Sequence, residues 1–133
     1  MQRSLLAEHL FQSEVLVQKV NGIVHPVVEK MFQNWVQQQV SPALVVKEAA
    51  ILYESGSYLD LDEIWVVTCP EEIRFQRIRE RNGWDDAQIK ARMKHQWPEE
   101  KKAALANAVI VNDGKQAVLP QILSLLSAKN IKY

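Results

Sequence analysis

Two short apolar runs, residues 44–46 and 64–68, are rich in β-branched side chains and show no polar alternation. Such runs predict strands covered on both faces, as in a parallel sheet with helices above and below. Residues 109–111 form a third β-type run, closed by Asn112-Asp113-Gly114. Elsewhere the apolar residues recur at helical spacing. A short helix is expected over 3–11, with Leu5, Leu6 and Leu10 on its buried side, and a second over 13–24 that stops at Asn21-Gly22. Pro26 suits the first position of a further helix to about Gln39, with Val28, Met31, Phe32 and Trp35 facing the core. Ser41-Pro42 turns the chain into the first strand. Beyond the second strand, Pro70 and the acids Glu71 and Glu72 fit the first turn of another helix. Asn82-Gly83 is a turn, Asp85 a candidate cap for a helix to about Gln96, and 98–106 a helix headed by Pro98. The closing helix carries Val118, Leu119, Ile122, Leu125 and Leu126, and Pro120 makes it start late or kink. The order is helices, strand, helix or loop, strand, helices, strand, helix, which is α/β.

In open α/β sheets the chemistry collects just past the carboxyl ends of strands. The exits after Val46 and Thr68 are therefore the first places to look. On the helix leaving the second strand, Arg74, Arg77 and Arg81 fall within an arc of roughly 60°. Such a face is either a polyanion site or a solvated surface paired with nearby acids. Composition makes any anion site local. Lys plus Arg and Asp plus Glu number 16 each, so no global field favours nucleic acid or acidic lipid. The 133 residues suffice for one domain with a sizeable core, and 47% hydrophobic content argues against disorder. The single Cys69 excludes an intrachain disulfide and metal-cluster spacing, and fits a reducing, cytoplasmic setting. No apolar stretch approaches the roughly 18 residues of a membrane span, and the amino terminus has no signal-peptide pattern.

The element pattern and the arginine hairpin suggest a nucleotide kinase core with a mobile lid over 74–93. Fixed arginines and magnesium meet the charge that develops on a transferring phosphoryl group, since little covalent chemistry is asked of the protein. The loop GxxxxGK[ST] that should accompany them does not occur. The four glycines, Gly22, Gly56, Gly83 and Gly114, are widely scattered.

Four segments together resemble the dephospho-CoA kinase family. Asn21-Gly22-Ile23-Val24-His25-Pro26 is similar to the family's asparagine-x-isoleucine-x-histidine-proline segment, and residues 48–56 resemble its loop after the third strand, with Ala49 and Tyr53 departing mildly. Arg77-x3-Arg81, followed by Asn82 and by Arg92-x3-Gln96, resembles the lid; Asn82 stands where aspartate is usual, and Arg74 where glutamine is common. Residues 106–114 resemble the segment that meets the adenine, with Asn107 in place of aspartate.

The resemblance implies a partial kinase domain over 1–133: an incomplete three-layer, P-loop-kinase-like parallel sheet with flanking helices and a helical lid. Its parts would be a helical substrate-binding region (3–40), core strands (44–68), lid helices (70–97) and a last helix–strand–helix (98–133). It further implies transfer of the ATP γ-phosphoryl group to the ribose 3′-hydroxyl of dephospho-CoA with Mg2+, the last step of coenzyme A synthesis. Arg77 and Arg81 would meet the ATP phosphates, and Asn112 and Gly114 would lie against the adenine. His25, Leu5, Leu6 and Glu54 would line the acceptor cleft, though Glu54 equally suits a structural anion. The family's phosphate loop and general-base aspartate fall upstream of Met1. ATP and Mg2+ are thus expected only in a complete protein, and these 133 residues are expected to be inactive alone. A related kinase with another acceptor, or a fragment that only folds or associates, are the alternatives. Without the strand that normally lies between them, 44–46 and 64–68 are expected to show a gap, to pair directly, or to borrow a strand from a second copy.

Overall fold

The computed structural model of the chain describes residues 13–40 and 44–131. The helix expected over 3–11, with Leu5 and Leu6, and the turn at Ser41-Pro42 lie outside the described residues. The chain divides into two compact units, Met1–Val45 and Val46–Tyr133. Among the described residues there are five helices and a two-stranded sheet.

The described part of the first unit is dominated by one helix, α1 (Glu14–Gln37), of 24 residues. Ser13 caps it, its hydroxyl accepting from the Leu16 N–H at 3.3 Å. The expected stop at Asn21-Gly22 is absent, and Pro26 lies inside the helix rather than at its start. An interior proline forfeits one i→i−4 hydrogen bond and crowds the carbonyl four residues back, at a cost of about 3 kcal/mol. Here that residue is Gly22, whose absent Cβ would meet nothing within 4 Å. With more than two turns on either side, helix propagation carries through the defect. The expected core stripe is not buried: Val28, Met31 and Trp35 are exposed, while Phe32 is half-buried with its ring 6.0 Å from that of Trp35. A lone helix has no second described element in its own unit against which to bury a stripe.

The second unit runs β1 (Trp65–Thr68), α2 (Glu71–Asn82), α3 (Asp86–Met93), α4 (Glu99–Leu105), β2 (Ala108–Val111) and α5 (Val118–Ala128). β1 and β2 pair in parallel, Trp65 opposite Ala108 and Thr68 opposite Val111. Asn107 closes the amino end of this ladder twice, donating its N–H to the Ile64 carbonyl and accepting the Ile64 N–H on Oδ1, both at 2.8 Å. The expected strand at 44–46 is not formed, and Leu44 and Val46 are exposed. No described strand lies in register with it, and an extended run without a ladder partner leaves its N–H and C=O groups unpaired. Residues 50–60 instead form successive hydrogen-bonded turns, passing through Gly56 at φ 75°.

Local signals set the remaining boundaries. Pro70 and Pro98 each stand immediately before a helix whose first turn is acidic. Gly83, at φ 67°, terminates α2 by donating its N–H to the Arg79 carbonyl at 2.8 Å. Asp85 and Gln88 form a reciprocal capping box on α3. Pro120 sits in the first turn of α5, where its missing N–H has no intrahelical acceptor to lose. Tyr53, Phe75, Ile89, Ile110 and Leu126 are the buried hydrophobic residues, Ile89 the most completely at 1% exposure.

Candidate active site at the strand ends

The carboxyl ends of β1 and β2 open onto one group of side chains. Arg77, two turns into α2, reaches across both. Its Nη1 donates to the Asn112 carbonyl and to Asn112 Oδ1, each at 3.1 Å, and lies 3.6 Å from Cys69 Sγ. Its Nη2 would lie 3.4 Å from a Cβ at Gly114, which is itself at φ 76°. The left-handed backbone favours glycine there, and the guanidinium comes to ordinary van der Waals distance of the place a Cβ would occupy.

The loop carrying these groups is braced. Asp113 Oδ1 accepts from the backbone N–H groups of Gln116 (2.8 Å) and Lys115 (2.9 Å), and these bonds hold its carboxyl below the usual carboxylate range. Gln121 of α5 clips the loop's start from the other side. It accepts the Val111 N–H and donates to the Val111 carbonyl, both at 2.9 Å. Neither brace was singled out as a site residue from the sequence. The available signal was one glutamine within the apolar stripe of α5.

The arginine arc thus separates into three environments. Arg77 joins Asn112 and Gly114. Arg74 pairs with Glu99 at 3.1 Å, and Glu99 also accepts the Cys69 N–H at 3.3 Å. Arg81 is exposed and donates to Asn82 Oδ1 at 2.8 Å, one turn away from the strand-end group. Asn82 thus orients that arginine through its amide oxygen. Glu54 is elsewhere in the same unit: its Oε1 accepts the Trp97 N–H at 2.6 Å and pairs with Lys102 Nζ at 2.8 Å. Burial pushes its carboxyl up, but the Lys102 ammonium and the Trp97 N–H outweigh this and leave it lowered. His25 lies half-buried on α1 in the first unit.

A fixed guanidinium beside a glycine-bearing loop at strand ends suits a planar or anionic ligand. Among the described residues no group of three or more His, Cys, Asp or Glu side chains could hold a metal ion. Magnesium is commonly held by one or two carboxylates plus substrate phosphates, and no residue here is assigned to it.

A family model for dephospho-CoA kinase matches residues 1–117. A dephospho-CoA kinase of Bacteroides fragilis (strain YCH46) is 38% identical over 125 residues, covering 94% of this chain and 61% of the relative. One from Dechloromonas aromatica is 32% identical over 133 residues, covering 99% and 64%. The crystal structure of TT1252 from Thermus thermophilus superposes with a TM-score of 0.85 at 28% identity, over 96% of this chain and 66% of that one. The chain spans about three-fifths of the length of the curated relatives it matches.

Proposed function

The chain belongs to the dephospho-CoA kinase family, and on that premise we propose that it supplies the base-binding and lid parts of a phosphotransferase. The reaction moves the γ-phosphoryl group of ATP to the ribose 3′-hydroxyl of dephospho-CoA, the final step of coenzyme A synthesis. A bond forms between the γ-phosphorus and the 3′-oxygen, the hydroxyl gives up its proton to a base or to solvent, the bridge to the β-phosphate breaks, and ADP leaves. The observation that carries the reading is the Arg77 guanidinium, bonded to Asn112 and seated against Gly114 at the strand exits. In it, Asn112 and Gly114 meet the adenine. Arg77 and Arg81 come to the phosphates as α2 and α3, acting as the lid, close over them. His25, with Leu5 and Leu6, contributes to the acceptor cleft from the first unit. Magnesium, when bound with ATP, neutralises charge on the β- and γ-phosphates. A cytoplasmic location follows from this activity and from the lone, free Cys69; no described helix is long and apolar enough to cross a membrane.

These 133 residues contain no glycine-rich phosphate loop, whose backbone N–H groups and lysine hold the β- and γ-phosphates. We therefore expect the 133-residue chain by itself to give no turnover of dephospho-CoA above a buffer blank. Fused behind the phosphate-loop segment of a dephospho-CoA kinase relative, it should turn over. In that fusion Arg81→Ala should lower kcat by about 100-fold or more with little change in the KM for dephospho-CoA, because an arginine that meets charge mainly in the transition state acts on kcat. Arg79→Ala is the control, since Arg79 pairs with Asp86 within the hairpin. Equal losses from the two substitutions would reduce the arginines to a solvated face and end the reading.

A further inference from the structure

The α2–α3 hairpin meets the rest of its unit at two chain crossings, Cys69-Pro70 on entry and Trp97-Pro98 on exit. Both are tied to α4. On entry, Glu99 takes the Cys69 N–H on one carboxylate oxygen and Arg74 on the other. On exit, the Trp97 N–H and the Lys102 ammonium share Glu54 Oε1. Glu99 and Lys102 stand three residues apart on α4 and so lie on one side of it. Lys102 also donates to the Ala50 carbonyl at 3.1 Å, fastening the turns of 50–60 to the same point. Around the exit, the Trp97 ring stacks on buried Tyr53 at 5.9 Å and 11°, and Lys101 Nζ lies 3.5 Å from its centroid.

The other polar contacts of the hairpin are of a different kind. Arg79–Asp86 and Arg92 over Trp84 are internal to it and would travel with it. Arg77 to Asn112 joins its body to the strand-end loop and would have to change partner in any swing.

We propose that Glu54 is a positioning residue: its carboxylate pins the exit of the hairpin to α4, so that α2 and α3 turn as one body about α4. This rests on the reading of α2–α3 as the lid. The side chains of Glu54 and Lys102 are only 13% and 14% exposed, so each depends on the other for charge compensation. The 2.6 Å bond from Trp97 has the length of a charge-assisted one. An amide at position 54 could still accept from Trp97 but could not neutralise Lys102. Both contacts fall on one oxygen, Oε1, and it is through this atom that the carboxylate fixes the lid's boundary.

Hydrogen exchange of the 133-residue chain, without nucleotide, tests the pin. Glu54→Gln should speed exchange of the amides at 94–97 by about tenfold or more, in the manner of a local opening, and speed α3 as well. The amides of 108–111 and 118–128 should keep wild-type rates. Lys102→Met should reproduce that pattern. Trp97 emission, isolated by difference against Trp97→Phe, should change in Glu54→Gln. Unchanged exchange at 94–97 would overturn the proposal. So would acceleration spread evenly over β2 and α5, which would make Glu54 a general core residue. Because no nucleotide is present, neither outcome depends on whether the lid serves ATP.

Discussion

Gly114 answers to a left-handed backbone, with the Arg77 guanidinium at contact distance beside it. Gly114→Ala should therefore destabilise the second unit by about 1–2 kcal/mol; a urea midpoint equal to wild type would show the loop can shift at no cost. Glu54 gives the chain a pH dependence of definite sign. Its folded carboxyl lies below the ordinary glutamate value, so its stabilisation is present above the unfolded pKa and is lost as pH falls through the folded one. The charge facing it is Lys102 on α4. Urea midpoints followed from about pH 7 down to about pH 3 should fall less steeply in Glu54→Gln than in wild type. Parallel curves would remove Glu54 from the acid response. Among single residues, the resemblance marked Arg77 for the phosphates and Asn112 and Gly114 for the adenine; that Arg77 itself bonds Asn112 was not legible, because it depends on how α2 lies across the strand ends. The separation of Arg74 and Arg81 from Arg77 was not legible. A helical wheel gives angles, whereas partner choice depends on Glu99 and Asn82, which only the fold and the helix end supply.

Helices and turns with capping chemistry were readable almost to the residue, as at Gly83, Asp85 and Pro98. What failed were inferences needing knowledge of neighbours. Residues 44–46 have strand composition but no described ladder partner, and Pro26 has a helix-start signature in a segment that stays helical on both sides. The second case makes a prediction at this scale. Pro26→Ala restores a backbone hydrogen bond to the Gly22 carbonyl and should stabilise α1 by up to about 3 kcal/mol. Far-ultraviolet circular dichroism should then show higher helicity persisting to higher temperature. No gain would mean that α1 is already broken at Pro26 in solution. If His25 and Pro26 serve the acceptor cleft, the same substitution should raise the KM of the phosphate-loop fusion, a familiar cost of stabilising a functional segment.

For the whole molecule, the α/β class followed from the order of apolar runs. The sheet stops at two strands among the described residues, and its two sides are unlike. The Ile64 and Thr68 carbonyls face β2, so the backbone groups of Trp65 and Val67 turn outward, with Val67 54% exposed. We expect this edge to pair two copies of the chain. Sedimentation should then report a concentration-dependent dimer that Val67→Lys weakens, since a charge on an edge strand opposes pairing; a monomer at all concentrations would refute it. The far side behaves otherwise because of Gln121. Of the two outward-facing residues of β2, Val109 and Val111, the glutamine amide occupies both backbone groups of Val111 just as a neighbouring peptide would. A further strand arriving there would find only Val109. Among the described residues each copy therefore offers one open edge for the expected pairing, and an object with a single valence can close into a pair but cannot propagate into a fibre.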